Sequence, residues 1–145
     1  MHFVTGGAFN GKRAWVMEAY KVSNEDGLWL SAYHNCRLPR DLGDIDQNVV
    51  ILEGAETWLK KLVGNFDLNQ CRIIWNQCLD SWLKWEKEKL TRKVVIIGTD
   101  ITKGIVPIET HDRAWRDVTG WAFQDTASRA EEVDIIWYGI NQQIK

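Results

Sequence analysis

Residues 2–5 are predicted to form a short buried strand, and the seven residues that follow have the spacing of a phosphate-binding loop. That loop consists of Gly6, Gly7, Ala8, Phe9, Asn10, Gly11 and Lys12. Glycines let the backbone turn tightly and point its N–H groups at phosphate oxygens, and the closing lysine reaches the β and γ phosphates. A helix predicted from Lys12 to about Val22 directs its positive end toward the same oxygens. The sequence therefore predicts a nucleotide-binding site here.

Strands and helices alternate along the chain, and this order predicts an α/β fold with a mostly parallel sheet flanked by helices. The apolar, β-branched run at 48–52 is typical of a parallel strand that is covered on both faces. The other predicted strands are 2–5, 28–33, 94–97 and 133–138, with Gly139 and residues 144–145 as candidates for a last one. The predicted helices are 12–22, 54–63, 68–90 and 110–132, and residues 23–27 have the composition of a turn. A length of 145 residues suits one core, so we expect a single nucleotide-binding domain over residues 1–145.

The charge and hydropathy of the chain argue against several classes of partner. Its formal net charge is −2, which gives no reason to expect nucleic acid or an anionic membrane surface. No apolar run approaches the roughly 20 residues that are needed to span a bilayer. The first residues, Met1–Thr5, lack the basic segment and the long apolar stretch of a signal peptide. We therefore expect a cytoplasmic protein.

Nine tryptophans are an unusual number for a chain of this length. Trp75, Leu79 and Trp82 follow the i, i+4, i+7 spacing of one stripe on an amphipathic helix. One interpretation is that the tryptophans are large side chains of the core and of subunit contacts. The other is that they form a flat apolar platform for a large ligand or a partner subunit. The helical spacing favours the first interpretation.

The residue after the loop departs from the usual pattern. Arg13 stands where a serine or threonine hydroxyl ordinarily coordinates Mg²⁺. Either Arg13 itself contacts phosphate and Mg²⁺ is held elsewhere, or the loop is degenerate and binds nucleotide weakly or not at all. Glu53 and Asp100 follow the third and fourth strands, at the carboxyl ends where ligands bind in open α/β sheets. Glu53 is the candidate metal ligand through a bound water, the alternative being an ordinary strand-end acid near a helix N-terminus.

Motifs along most of the chain resemble those of the adenosylcobinamide kinase / adenosylcobinamide-phosphate guanylyltransferases of cobalamin synthesis. Residues 4–12 are similar to the family's V-T-G-G-A-R-S-G-K, and residues 94–107, ending Gly-Ile-Val-Pro, resemble its strand followed by N-E-V-G-x-G-I-V-P. Thr99 and Asp100 stand in place of the family's Asn-Glu. Further matches are the strand 49–53, the R-D-x-x-G motif at 116–120, Gln124, and the closing segments 132–133 and 138–140.

The resemblance implies a P-loop fold similar to that of RecA, assembled as a homotrimer. In this family the kinase half phosphorylates the aminopropanol hydroxyl of adenosylcobinamide, a corrinoid, with ATP or GTP. The transferase half then moves GMP onto that phosphate through a guanylylated histidine. The loop residues and Arg13 would bind the nucleotide, Mg²⁺ would be the metal, and Lys12, Glu53 and Asp100 would be catalytic.

The segment after the second strand differs most from the family. The family carries its nucleophilic histidine in a much longer insert with the pattern H-x-x-x-R-P-x-x-W-x-T-x-E, of which only His34, Arg37 and Pro39 are echoed here. A phosphoramidate intermediate requires a positioned imidazole with an orienting partner, and His34 has no evident one. The guanylyltransferase half is therefore expected to be lost. Two functions stay open: a reduced cobinamide-kinase-like enzyme, or a non-catalytic relative that binds nucleotide or a corrinoid as a sensor or scaffold.

Overall fold

The computed structural model describes residues 1–22 and 27–145. Over these residues the strands are β1 (His2–Thr5), β2 (Gly27–Ser31), β3 (Val49–Glu53), β4 (Lys93–Ile97), β5 (Glu132–Trp137) and β6 (Ile140–Gln143). The helices are α1 (Lys12–Tyr20), α2 (Ala55–Val63), α3 (Leu68–Lys87) and α4 (Thr110–Arg129), and a 3₁₀ turn covers Ala32–His34. Most of the turn predicted at 23–27 lies outside the described residues.

The strands form one sheet in the order β2-β3-β4-β1-β5-β6. Every neighbouring pair from β2 to β5 is parallel, and β6 runs antiparallel to β5. The predicted mostly parallel α/β sheet is therefore confirmed. This order places β4 directly beside β1, with β3 one strand further away. The segments that follow these three strands consequently meet at one edge of the sheet, where parallel strands present their carboxyl ends.

Helices cover both faces of the sheet because successive side chains of each strand point to opposite sides. On one face, Val4 of β1 and Ile97 of β4 pack with Val16 of α1. On the other face, Phe3 and Ile96 belong to a larger buried cluster that includes residues of α2, α3 and α4. Within the described ranges, no helix has the combination of length and apolar composition that crossing a membrane requires.

Several element boundaries differ from the sequence predictions by a few residues. The first helix ends at Tyr20 because Lys21 adopts a left-handed conformation with a φ of 46°. The second strand ends at Ser31, and the residues predicted to continue it form the 3₁₀ turn, which closes at Asn35 with a φ of 61°. The last strand is Ile140–Gln143 rather than the tail at 144–145, since Tyr138 and Gly139 adopt positive φ angles that reverse the chain.

The tryptophans fall into more than one environment. Trp58, Trp75, Trp82 and Trp85 are buried among the helices, and the rings of Trp75 and Trp82 pack edge to face with centroids 5.5 Å apart. For these four the interpretation as core side chains is confirmed. Trp137, at the end of β5, is 61% exposed. The helical stripe thus predicts burial correctly, whereas a tryptophan in the last strand pair lies on the surface.

A buried polar network lies beneath α1, at the start of β1. The ring of His2 is 2.6 Å from the Tyr20 hydroxyl at Nδ1 and 2.8 Å from Asp134 at Nε2. Asn141 donates to the other oxygen of Asp134 at 2.9 Å. A neutral imidazole with its hydrogen on Nε2 satisfies both contacts, since it donates to Asp134 and accepts from Tyr20. Burial lowers the pKa of His2, although Asp134 partly opposes that effect.

We expect the free energy of unfolding to fall as the pH is lowered through about 6.5, the ordinary pKa of histidine. The folded pKa of His2 lies below that value, so the unfolded chain binds more protons there, and acid favours unfolding. Urea denaturation at several pH values between 5 and 8 measures the slope of the free energy of unfolding against pH. The His2→Gln variant should have a smaller slope than the wild type, and His111→Gln, which replaces an exposed histidine, is the control variant. Equal slopes in the wild type and His2→Gln would contradict the assignment.

Candidate functional site

The predicted phosphate loop, Gly6–Lys12, connects β1 to α1 and is fixed by segments that are distant in sequence. The backbone N–H of Asp100 donates to the carbonyl of Gly6 at 3.0 Å, and that of Gly139 donates to the carbonyl of Asn10 at 2.9 Å. Gly6 has a φ of 141°, which favours glycine. The loop is therefore held between the segment that follows β4 and the turn that joins β5 to β6.

The side chain of Lys12 folds back into the phosphate loop. Lys12 is 8% exposed, and its Nζ donates to the carbonyls of Gly6 at 3.1 Å and Gly7 at 2.7 Å. Burial lowers the pKa of Lys12, and the carboxylates of Glu56, Asp100 and Glu53 act in the opposite direction. The ammonium group thus lies within the loop, close to three acids that favour its charged form.

Arg13, Glu53 and Trp29 form a cluster beside the loop, which we call the arginine cluster. Nη1 of Arg13 lies 2.5 Å from Oε2 of Glu53, and the guanidinium carbon lies 4.4 Å from the ring centroid of Trp29. The indole N–H of Trp29 donates to the same carboxylate oxygen at 2.8 Å. The Glu53 side chain is 6% exposed and that of Arg13 is 48% exposed. The predicted metal ligand is therefore paired with the residue that departs from the loop pattern.

Glu56 is a further acid of the site, and the sequence reasoning missed it. It lies in the first turn of α2, is 5% exposed, and accepts the backbone N–H of Thr99 at 2.8 Å through Oε2. Its Oε1 accepts the hydroxyl of Tyr33, whose pKa is raised by burial and by this carboxylate. The position of Glu56, three residues after Glu53 and in the first turn of a predicted helix, is the sequence feature that could have identified it.

The side chain of Asp100 makes its hydrogen bonds within its own loop. Its Oδ1 accepts the backbone N–H of Thr102 at 2.9 Å and the Thr102 hydroxyl at 2.6 Å. Asp100 lines a separate cavity of about 430 Å³ that Arg116 and Trp121 also line. The backbone of Asp100 therefore supports the phosphate loop, whereas its carboxylate faces a neighbouring space.

A cavity of about 650 Å³ opens in front of the phosphate loop. Residues 8–14 of the loop and of α1 line it, together with Met17, Tyr33, Glu53, Glu56, Ile97 and Thr99. Of the predicted site residues, Ala8, Phe9, Asn10, Gly11, Lys12, Arg13 and Glu53 therefore meet at one cavity. Gly6 and Gly7 do not line this cavity, and their carbonyls accept from Lys12. Phe9 is fully exposed at the loop tip, with a φ of 59°.

His34 ends the 3₁₀ turn after β2 and is exposed. Its neighbour Tyr33 lines the cavity, whereas His34 does not. Among residues 1–22 and 27–145, no side chain hydrogen-bonds to the His34 ring. In the same ranges, no three His, Cys, Asp or Glu side chains are grouped as a metal site requires.

The comparisons with known proteins identify the family. The family model described as cobinamide kinase / cobinamide phosphate guanyltransferase matches residues 26–144. The bifunctional adenosylcobalamin biosynthesis protein CobU of Escherichia coli is 30% identical over 111 residues, which cover 70% of this chain and 61% of that protein. The chain thus spans about three-fifths of the length of the curated relative it matches. The family match begins after the phosphate loop, so the loop geometry is separate support for a P-loop fold. The resemblance is confirmed, and the chain belongs to the cobinamide kinase / cobinamide phosphate guanyltransferase family.

Proposed function

We propose that this protein acts in cobalamin biosynthesis and transfers the γ-phosphoryl group of ATP or GTP to the aminopropanol hydroxyl of adenosylcobinamide. The position of Lys12 within a glycine loop, in front of a cavity of about 650 Å³, is the observation that carries this proposal. A lysine ammonium and backbone N–H groups at the start of a helix are the groups that bind nucleotide phosphates. The family supplies the acceptor, and the site supplies the phosphate chemistry.

The proposed step forms a bond between the acceptor oxygen and the γ phosphorus and breaks the bond from that phosphorus to the bridging oxygen. The nucleoside diphosphate leaves, and the hydroxyl proton passes to a base. Lys12 would stabilise the charge that develops on the phosphate oxygens. Glu53 or Asp100 would hold the metal or accept the hydroxyl proton. We add Glu56 as a further candidate base because it lines the cavity.

We further propose that the guanylyltransferase half of the family's activity is absent. A histidine that forms a phosphoramidate requires a partner that orients its ring. His34 is exposed and has no such partner among the described residues. The arginine cluster supports a second candidate function, a binder of nucleotide or corrinoid without turnover, because it replaces the hydroxyl that P-loop enzymes use to hold Mg²⁺.

The proposed homotrimer also derives from the family resemblance. Trp137, Tyr138 and Ile140, at the turn between β5 and β6, are 61%, 79% and 73% exposed. Large apolar side chains that are exposed together are typical of subunit contacts. Light scattering of the purified protein gives its mass directly, and a mass of one chain at micromolar concentration would contradict the trimer.

The test incubates the protein with adenosylcobinamide and γ-labelled ATP or GTP and follows the corrinoid by mass spectrometry. A kinase yields labelled cobinamide phosphate, and loss of the transferase half predicts no guanylylated corrinoid. The Lys12→Ala variant should be inactive, whereas Lys61→Ala, an exposed lysine on α2, should match the wild type. Binding of nucleotide or of adenosylcobinamide without labelled corrinoid would support the non-catalytic binder. Absence of nucleotide binding would contradict the kinase, and absence of binding to either ligand would contradict both functions.

A further inference from the structure

The arginine cluster occupies the position at which P-loop proteins hold their divalent cation. In those proteins the hydroxyl after the loop lysine is a direct ligand of Mg²⁺. A guanidinium has N–H donors only and provides no lone pair for a metal. The carboxylate of Glu53, the other expected ligand, lies 2.5 Å from Nη1 of Arg13 and also accepts the indole N–H of Trp29. The donor set present here therefore does not fit a Mg²⁺ ion held by the loop.

The burial of Glu53 explains why Arg13 is fixed in this place. A carboxylate with a 6% exposed side chain needs a compensating positive charge, because an unpaired buried charge is costly. Arg13 supplies that charge, and the ring of Trp29, 4.4 Å from the guanidinium carbon, holds the guanidinium by a cation–π contact. The cation–π contact with Trp29 and the ion pair with Glu53 together fix the orientation of the guanidinium. Arg13 is therefore an ordered part of the site.

The charges that line the cavity show what Arg13 does for an anionic ligand. The charged side chains of the lining are Lys12, Arg13, Glu53 and Glu56. Without Arg13, two carboxylates would face one ammonium, and the lining would repel a polyphosphate. With Arg13, the charges balance, and the loop N–H groups add partial positive charge at the start of α1. Arg13 thus supplies the positive charge that a metal ion supplies in other P-loop sites.

We infer that Arg13 is the resident cation of this site, and that the site binds the phosphates of ATP or GTP independently of a divalent metal ion. A guanidinium carries five N–H donors, and the contact with Glu53 described above uses Nη1. About half of the Arg13 side chain is accessible, and Arg13 lines the cavity, so it can also donate to a phosphate oxygen. Glu53 is then a positioning residue for Arg13 instead of a metal ligand. The inference rests on the nucleotide-binding part of the proposed function.

Calorimetric titration of the full chain with ATP and with GTP, in excess Mg²⁺ and in EDTA at equal ionic strength, tests this inference. The wild type should bind with dissociation constants that agree within about twofold in the two buffers. Arg13→Ser restores the metal-binding hydroxyl and removes the cation. Its affinity in EDTA should fall by roughly 10- to 100-fold, the effect of losing a hydrogen bond to a charged group, and Mg²⁺ should recover part of that loss.

Two further variants keep the test decisive if Arg13→Ser does not fold with Glu53 left unpaired. Arg13→Ser combined with Glu53→Gln removes both charges and should also become dependent on Mg²⁺, whereas Arg13→Lys keeps a cation and should stay independent of it. Arg72→Ser is the matched control, because Arg72 is 49% exposed and pairs with Asp125 far from the loop. A wild-type affinity that rises tenfold or more with Mg²⁺ would overturn the inference and leave the proposed function standing. Failure of the wild type to bind in either buffer would overturn both.

Discussion

Replacing Lys12 with alanine is expected to weaken the binding of ATP or GTP by roughly 10- to 100-fold, which corresponds to one charge-assisted contact with a phosphate. The reason is geometric as well as electrostatic. Nζ of Lys12 already lies within the phosphate loop, at 2.7 Å from the carbonyl of Gly7, and a phosphate that enters the loop would meet it there. Isothermal titration of the variant and the wild type with each nucleotide measures the difference.

The fold should survive this substitution, so a loss of binding can be attributed to the site. Burial lowers the pKa of Lys12, which shows that holding this charge inside the protein is unfavourable. Without the ammonium, the carbonyl of Gly6 keeps the N–H of Asp100 as a donor at 3.0 Å. Circular dichroism and urea denaturation check that the structure persists. Lys61→Ala controls for the loss of one positive charge elsewhere. An unchanged nucleotide affinity in Lys12→Ala would contradict the assignment of the loop.

The Gly6→Ala variant is expected to lose both stability and nucleotide binding. A Cβ at this position would lie 2.3 Å from the carbonyl oxygen of Ile136 in β5, and that atom belongs to the backbone of the sheet. The φ of 141° adds conformational strain of about 1–3 kcal/mol for a residue other than glycine. Because the loop has to shift to relieve the clash, the free energy of unfolding should decrease by roughly 2 kcal/mol or more.

A comparison with Gly104→Ala distinguishes the steric clash at Gly6 from the conformational strain of a positive φ. Gly104 also has a positive φ, of 96°, but a Cβ there has no atom within 4 Å. Gly104→Ala should therefore show the conformational strain alone, and Gly6→Ala should exceed it in urea denaturation. Gly64→Ala, where a Cβ would make only ordinary contacts, sets the baseline. Equal losses for Gly6→Ala and Gly104→Ala would show that the contact with Ile136 does not restrict the loop.

The sequence predicts the strand, loop and helix at residues 2–20 because adjacent residues determine the conformation of this segment. A strand, a glycine-rich turn, a lysine and a helix follow one another within residues 2–20, and each one limits the conformation of the next. The same holds for the alternation of strands and helices, whose boundaries shift by only a few residues in the structure. Hydrophobic periodicity likewise identifies Trp75 and Trp82 as core residues, because their spacing alone places both on one stripe of a single helix.

The neighbours of the loop depend on the order of the strands, which local patterns do not specify. Because β4 pairs with β1, the segment after β4 reaches the loop, and the N–H of Asp100 binds the carbonyl of Gly6. The carboxylate of Asp100, in contrast, bonds to Thr102 and faces another cavity. A position at the end of a strand therefore predicts nearness to the site without predicting the direction of the side chain.

The phosphate loop and the family motifs were thus determined by the sequence alone, since adjacent residues encode them. The pairing of Arg13 with Glu53 and Trp29 was decided only by the tertiary structure, because it joins α1, β3 and β2 across the sheet. Glu56 entered the site in the same way, through contacts with Tyr33 and Thr99. In the sequence, Arg13 is only a departure from the loop pattern; in the folded chain it neutralises a buried carboxylate, and that electrostatic requirement arises only when the strands come together.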